Sequence, residues 1–182
     1  NMAVEMGAKT AYMQPNRAVL DYVSSRAVRP FQVETTDPDF SYSERHVFRV
    51  SDLEPQLACP HSVDHVRPLS QVTAEGEIRI DQGYIGSCTG GRTEDLAEAA
   101  RILRGKHIPP YTRLVVVPAS AEVMRTCMER GILQDLMDAG ATVASPGCGA
   151  CLGAHEGVLA PGEVCITSTN RNFPGRMGST GA

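Results

Sequence analysis

The chain has 182 residues, with 17 Lys and Arg against 21 Asp and Glu for a formal net charge of −4, and 42% of it is hydrophobic. Such a length suits one hydrophobic core, or one domain with a shorter piece attached, rather than a large multidomain machine. Mild acidity without any Lys/Arg run leaves no electrostatic footprint for nucleic acid or an anionic membrane, so small molecules and protein partners are expected, with no nucleic acid and no membrane.

No apolar run approaches the roughly 18 residues needed to span a bilayer, and the opening residues lack a basic segment followed by an apolar one, so a cytoplasmic chain is expected. Residues 1–8 read as an apolar, small-residue helical segment with neither a lead-in nor a cap, as in a fragment of something longer. A strand is predicted at 9–13, a helix at 16–25 and a strand at 47–50, with the polar stretch 34–45 between them. Residues 1–55 thus read as the tail of a preceding α/β unit. The stretch 51–71, holding Pro55, Pro60 and Pro68, is the crossover into a second unit over 56–182, incomplete at its C-terminal end.

In that second unit, residues 78–85 are predicted extended and 93–103 helical, with Thr93 as N-cap and Glu94 and Asp95 in the first turn. Leu96, Ala99, Ala100 and Leu103 share one helical face. The β-branched run 113–117, between Pro109-Pro110 and Pro118, is a buried strand. Ser120 opens a helix over 121–130, a second helical piece at 132–139 ends at Gly140, and 141–144 and 164–167 are short strands. Strands alternating with helices require crossovers, so the expected fold is α/β: three αβα layers with a mostly parallel sheet and helices on both faces.

Six cysteines, at 59, 88, 127, 148, 151 and 165, occur without a secretory signal or a loop-rich, disulfide-stapled texture. Cys127 and Cys165 lie in helical and strand patterns and read as buried structural thiols. The close pair Cys148-Gly149-Ala150-Cys151 sits in Ser-Pro-Gly-Cys-Gly-Ala-Cys-Leu-Gly, where Pro and Gly force a turn and small residues leave room for a bulky ligand.

Three segments end strands with unusual chemistry: Ile85-Gly86-Ser87-Cys88-Thr89-Gly90-Gly91-Arg92, Pro146-Gly147-Cys148-Gly149-Ala150-Cys151, and Ser168-Thr169-Asn170-Arg171-Asn172-Phe173-Pro174-Gly175-Arg176. In a parallel sheet all three would reach the carboxyl edge, where ligands collect. The first could be a phosphate loop, but its glycines fit neither the dinucleotide fingerprint nor a Walker A loop. It could instead carry a nucleophilic Cys88 before a helix N-terminus, although His61, His65, His107 and His155 stand in no recognisable base motif. A zinc site of three thiolates and a histidine would normally use two close pairs, and only one is present. An iron-sulfur cluster fits better: a close pair plus one remote Cys leaves one iron without a protein ligand, and that vacancy makes a Lewis acid of an electron carrier.

Ile85-Gly86-Ser87-Cys88-Thr89, Pro146-Gly147-Cys148-x-x-Cys151-Leu152-Gly153 and Asn170-Arg171-Asn172-Phe173-x-Gly175-Arg176 resemble, in order and spacing, the aconitase superfamily. The most similar branch is that of the large subunits of 3-isopropylmalate dehydratase and homoaconitase. The opening Asn1-Met2-Ala3-x-Glu5-Met6-Gly7-Ala8, and Leu53-Glu54-Pro55 with Val66-x-Pro68, extend the resemblance over essentially the whole chain.

The resemblance implies that Cys88, Cys148 and Cys151 ligate a 4Fe-4S cluster in the 56–182 unit, with Asn1 and Asn170 near it as amide donors to sulfur. It implies that Glu5 works at the substrate hydroxyl, and that Arg171 and Arg176 hold substrate carboxylates, a task for which the planar guanidinium fork suits better than an ammonium. The implied intact protein is a hydro-lyase that isomerises a hydroxy polycarboxylic acid, with 3-isopropylmalate of leucine biosynthesis the first expectation and homoaconitate, citrate or a methylated malate the alternatives. A small swivelling-domain subunit is the implied partner. Two departures stand out. Gly90 occupies a position where relatives usually carry Asn, and an early Asp-Ser-His stretch is absent, so this chain is not expected to turn over alone. The competing expectation is a non-catalytic apo fragment or a structural metal-binding module.

Overall fold

A computed structural model describes residues 1–182, which divide into two units, Asn1–Leu53 and Glu54–Ala182. In the first unit the helix predicted at 16–25 forms as α1 (Arg17–Ser24). Asn16 caps it by accepting the Val19 N–H at 3.0 Å, and Ser25 closes it. The strands expected at 9–13 and 47–50 do not form. This unit contains no strand to pair with, and an unpaired extended segment leaves its backbone groups to solvent. The helix expected at 1–8 is replaced by hydrogen-bonded turns, Met6 N–H to Met2 O at 3.2 Å and Gly7 N–H to Val4 O at 2.9 Å, with Gly7 left-handed at φ +78°.

The second unit opens with the antiparallel pair β1 (Gln56–Ala58) and β2 (Val66–Pro68), followed by α2 (Leu69–Ala74). The crossover expected over 51–71 is therefore a small hairpin with a helix. Then come β3 (Gln82–Gly86), α3 (Ser87–Gly90), α4 (Thr93–Leu103), β4 (Arg113–Val117), α5 (Ala121–Glu129), α6 (Ile132–Asp138), β5 (Ala141–Val143) and β6 (Cys165–Thr167). Strand order is β5-β4-β3-β6 and every pairing is parallel, with Tyr84 opposite both Val115 and Thr167. The α/β architecture with a parallel sheet is the one expected.

Period-2 alternation assigns β4 to two cores. Leu114 and Val116 join Leu96, Ala100, Cys127, Ile132, Leu133 and Leu136 beneath α4, α5 and α6. Val115 and Val117 face the other way, with Tyr84, Ala150, Leu159 and Met177. Within this chain the layer on that second face is irregular backbone carrying one 3-10 turn, Gly149–Leu152. Ser120 caps α5 as expected, its Oγ accepting from Val123 N–H at 3.2 Å. At α4 the cap shifts by one residue: Thr93 is the first helical position, and the Asp95 carboxylate accepts from the Arg92 N–H at 3.0 Å. No helix is long and apolar enough to cross a membrane.

Candidate active site

Because β3, β4, β5 and β6 run parallel, the segments leaving their carboxyl ends emerge at one edge. β3 ends at Gly86, where an added Cβ would stand 2.6 Å from Val117 O, so only glycine lets these two strand ends close up. Ser87 follows in the left-handed region at φ +66°, a costly conformation for a residue with a side chain. It is 1% exposed, and its Oγ lies 3.2 Å from Thr89 Oγ1. The bend turns the chain out of the sheet, and the next residue, Cys88, is exposed.

The other two segments are tied to this loop and to β3. Ser168 Oγ accepts the Gly86 N–H at 3.1 Å and donates to Gly90 O at 3.2 Å. Tyr84, fully buried under the sheet, donates its hydroxyl to Cys148 O at 2.6 Å. Burial, reinforced by the Cys151 and Cys148 thiols nearby, pushes the Tyr84 phenol well above its ordinary range, so it stays a donor. Gly149, at φ +51°, lies so close that an added Cβ would stand 2.8 Å from the Tyr84 hydroxyl. Gly147 N–H adds a bond to Pro118 O at 3.2 Å. The remote Cys88 and the pair Cys148/Cys151 therefore belong to one strand-end edge, Cys148 exposed and Cys151 half-buried.

The third segment joins thiol to cleft. Arg176 Nη2 lies 3.7 Å from Cys151 Sγ, and its Nε is buried with no hydrogen-bond partner. Arg176 and Arg171 both line a cleft of about 180 Å³ whose apolar wall includes Leu159, Phe173 and Met177. Two guanidiniums in a small, partly apolar cleft suit a small polycarboxylic acid. Glu163 also lines the cleft, but both its oxygens are committed to Arg113, at 2.8 and 2.9 Å, and one also accepts from Ala160 N–H. It puts no idle negative charge beside the arginines.

Of the remaining residues singled out in the sequence, Asn170 is half-buried in the segment after β6, and Asn1 and Glu5 belong to the first unit, Glu5 half-buried in the turn at 3–7. All six cysteines are free thiols. No three His, Cys, Asp or Glu side chains stand close enough to grip a single metal ion. Ligands of a multi-iron cluster each take a different iron and need not meet at one point, so three thiols spread along one edge fit a cubane better than zinc. The exposed Cys88 and Cys148 thiols and the buried, unpartnered Arg176 Nε, whose Nη2 lies beside Cys151, are consistent with that donor set.

Residues 1–182 match the model of the aconitase family (aconitate hydratase). The chain belongs to the aconitase family. It is 54% identical over 178 residues to a protein named "Probable methanogen homoaconitase large subunit" from Methanothermobacter thermautotrophicus, covering 98% of this chain and 41% of that protein. It is 48% identical to the "Probable 3-isopropylmalate dehydratase large subunit" of the same organism, over 98% of this chain and 42% of that one. To the "3-isopropylmalate dehydratase large subunit 1" of Methanopyrus kandleri it is 51% identical over the same shares. The chain spans less than half the length of these aconitase-family relatives. Within this aconitase-family chain, the glycine at 90 has a physical reason. A Cβ at 90 would stand 2.6 Å from Ser168 O and 2.7 Å from Ser168 Cβ, so glycine is what lets the segment after β6 close onto the Cys88 loop.

Two contributors carry no sequence signal of their own. Tyr84 reads as an ordinary strand aromatic, and its bond to Cys148 spans 64 residues. Asn172 stands inside the third motif, yet its amide turns away toward the loop after β1.

Proposed function

We propose that the intact protein is a 4Fe-4S-dependent hydro-lyase that dehydrates a hydroxy polycarboxylic acid and rehydrates the unsaturated acid so formed, with 3-isopropylmalate of leucine biosynthesis the candidate hydroxy acid and homoaconitate the alternative, taken as the unsaturated acid. The observation that carries this reading is Arg176, which lies against the Cys151 thiol and lines the same cleft as Arg171. Cys88, Cys148 and Cys151 would hold the cluster, which when bound supplies a Lewis acid for the departing hydroxide. Arg171 and Arg176 clamp the spectator carboxylates, and the cleft's apolar wall keeps water from competing for the guanidiniums. Arg176 also donates from Nη2 toward the Cys151 sulfur, at 3.7 Å. By resemblance, Glu5 would handle the proton at the substrate hydroxyl, and Asn1 and Asn170 would donate amide hydrogen bonds to sulfur. The base that takes the proton α to a carboxylate would come from outside these residues, from a small subunit, as the relatives' designation "large subunit" supports. Free thiols fit a reducing cytoplasm.

Anaerobic reconstitution with iron and sulfide tests the reading. About four irons per chain, retained in the wild type and lost on substitution of Cys88, Cys148 or Cys151 by Ser, is the expected result. Stoichiometric zinc, or iron content indifferent to those three cysteines, would sink it. Hydratase activity should appear with the full-length large subunit and its partner, and not with residues 1–182 alone.

A further inference from the structure

Ser168, the first residue after β6, reaches the Cys88 loop at two points. Its Oγ accepts the Gly86 N–H at 3.1 Å and donates to Gly90 O at 3.2 Å. Cys88 stands midway between those anchors in the chain. The Ser168 N–H adds a bond to Tyr84 O at 3.0 Å, and Tyr84 is also the residue whose hydroxyl holds Cys148 O. One serine therefore ties the segment after β6 to the remote cysteine loop directly, and to the Cys148 turn through Tyr84. The contact is close: a Cβ at Gly90 would stand 2.4 Å from Ser168 Oγ. Gly86 and Gly90 are buried whereas Ser168 is exposed, so trimming its hydroxyl leaves the Gly86 N–H without that acceptor but opens no cavity in the core.

The turn that carries Ser168 is itself braced. Thr167 Oγ1 accepts the Thr169 N–H at 3.0 Å, and the two threonine hydroxyls lie 3.0 Å apart. Thr167 and Arg171, on either side of Ser168 in the chain, both line the cleft, and Ser168 does not. The side chain that brackets Cys88 thus belongs to the same short turn that leads Arg171 to the cleft, and it acts through its neighbours.

The geometry points to Ser168 as a positioning residue that keeps the Cys88 loop and Arg171 in register. This inference rests on the hydro-lyase reading above and deepens it, by naming what fixes the separation between the two groups that hold opposite ends of the substrate. A hydroxy acid gripped at Arg171 by a carboxylate has to present its hydroxyl at the cysteine edge, and a misplacement of about 1 Å costs as much as about 100-fold in rate. Ground-state binding draws on each end separately and suffers less, so the loss falls on kcat.

The test uses the reconstituted full-length large subunit with its small subunit, assayed by dehydration of 3-isopropylmalate and by hydration of homoaconitate. With whichever acid the wild type turns over, Ser168→Ala should lower kcat per bound iron about tenfold and leave KM within about twofold. Arg171→Lys should cost clearly less in the Ser168→Ala background than in the wild type, because the clamp is already out of register. A readout independent of turnover is amide exchange in the metal-free chain: Gly86 and Gly91 should exchange faster in Ser168→Ala, the latter because its N–H closes the loop on Ser87 O, while Val115 and Val116 in β4 keep the wild-type rate. An unchanged kcat, a rise in KM as large as the fall in kcat, additive effects of the two substitutions, or faster exchange throughout β4 would overturn the assignment and leave the hydro-lyase reading standing. So would a variant that no longer loads iron, which would make Ser168 part of the hold on the cluster and not of the register. Failure of the wild-type holoenzyme on both acids would remove that reading and this inference with it.

Discussion

The Tyr84 hydroxyl donates to the Cys148 carbonyl at 2.6 Å, joining the middle of β3 to the first residue of the Cys148/Cys151 turn. The phenol is wholly buried, so the bond is unscreened, and it is the second bond to the Cys148 carbonyl, which also accepts the Cys151 N–H at 3.0 Å. Tyr84→Phe preserves the ring packing against Val115 and Val117. It should lower stability by about 0.5–1.5 kcal/mol in urea denaturation, and it should speed iron release from reconstituted protein relative to wild type. A variant that matches wild type in both would show that the loop is held without this bond.

Gly90 is predicted to be intolerant of any side chain. A Cβ there meets Ser168 backbone at 2.6 Å, and backbone cannot swing aside as a flexible side chain can. Gly90→Ala and Gly90→Asn should each cost about 1–3 kcal/mol, read as a lowered midpoint of thermal unfolding. The same substitutions should loosen the Ser168 bonds to Gly86 and Gly90, detectable as faster amide exchange at Gly86.

The six thiols should separate sharply in reactivity. Cys88 and Cys148 are exposed, whereas burial raises the pKa of Cys127 and pushes Cys165 up to about 11 from an ordinary 9.0. In the metal-free protein at pH 8, a maleimide should label Cys88 and Cys148 first and reach Cys127 only on unfolding. Mass spectrometry of the labelled peptides reads the order directly, and early modification at Cys127 would contradict the packing beneath α5.

The raised Cys165 value also sets an alkaline limit on stability. Between about pH 9 and 11 the unfolded thiol ionises while the folded one holds its proton. The unfolded state then binds fewer protons, and stability falls as pH rises. The contribution is complete below pH 9 and gone above the folded value. Cys165→Ala should flatten the dependence of the urea midpoint across that window.

At the acid end the Arg113 and Glu163 pair acts with the opposite sign. The bidentate bond to Arg113, helped by the Ala160 N–H, holds the Glu163 carboxyl below its ordinary 4.5. The stabilisation is therefore present above pH 4.5 and is lost as pH falls through the lowered value. Glu163→Gln should reduce stability at neutral pH and make the fall between pH 5 and 3 shallower, as measured by denaturant titration at each pH.

The alternation of short β-branched runs with capped helices makes the parallel α/β core legible element by element, although β3 starts at Gln82 and not at 78. Arg113–Val117 is a strand with the bounds its composition implies, and Ser120 caps the following helix, because periodicity and capping are local properties of the chain. The three motifs were visible as well, and parallel strands alone were enough to send them to one edge. Residues 9–13 and 47–50 carry a strand pattern without forming strands for the complementary reason: a strand exists only with a partner, and no local pattern says whether one is present. Tyr84 under Cys148, Arg176 against Cys151 and Asn172 holding the His61 loop each join positions from 25 to more than 100 residues apart. Such contacts depend on how the sheet twists and which loops close over it, so only the tertiary structure decides which side chain ends up as ligand support, cleft wall or pin.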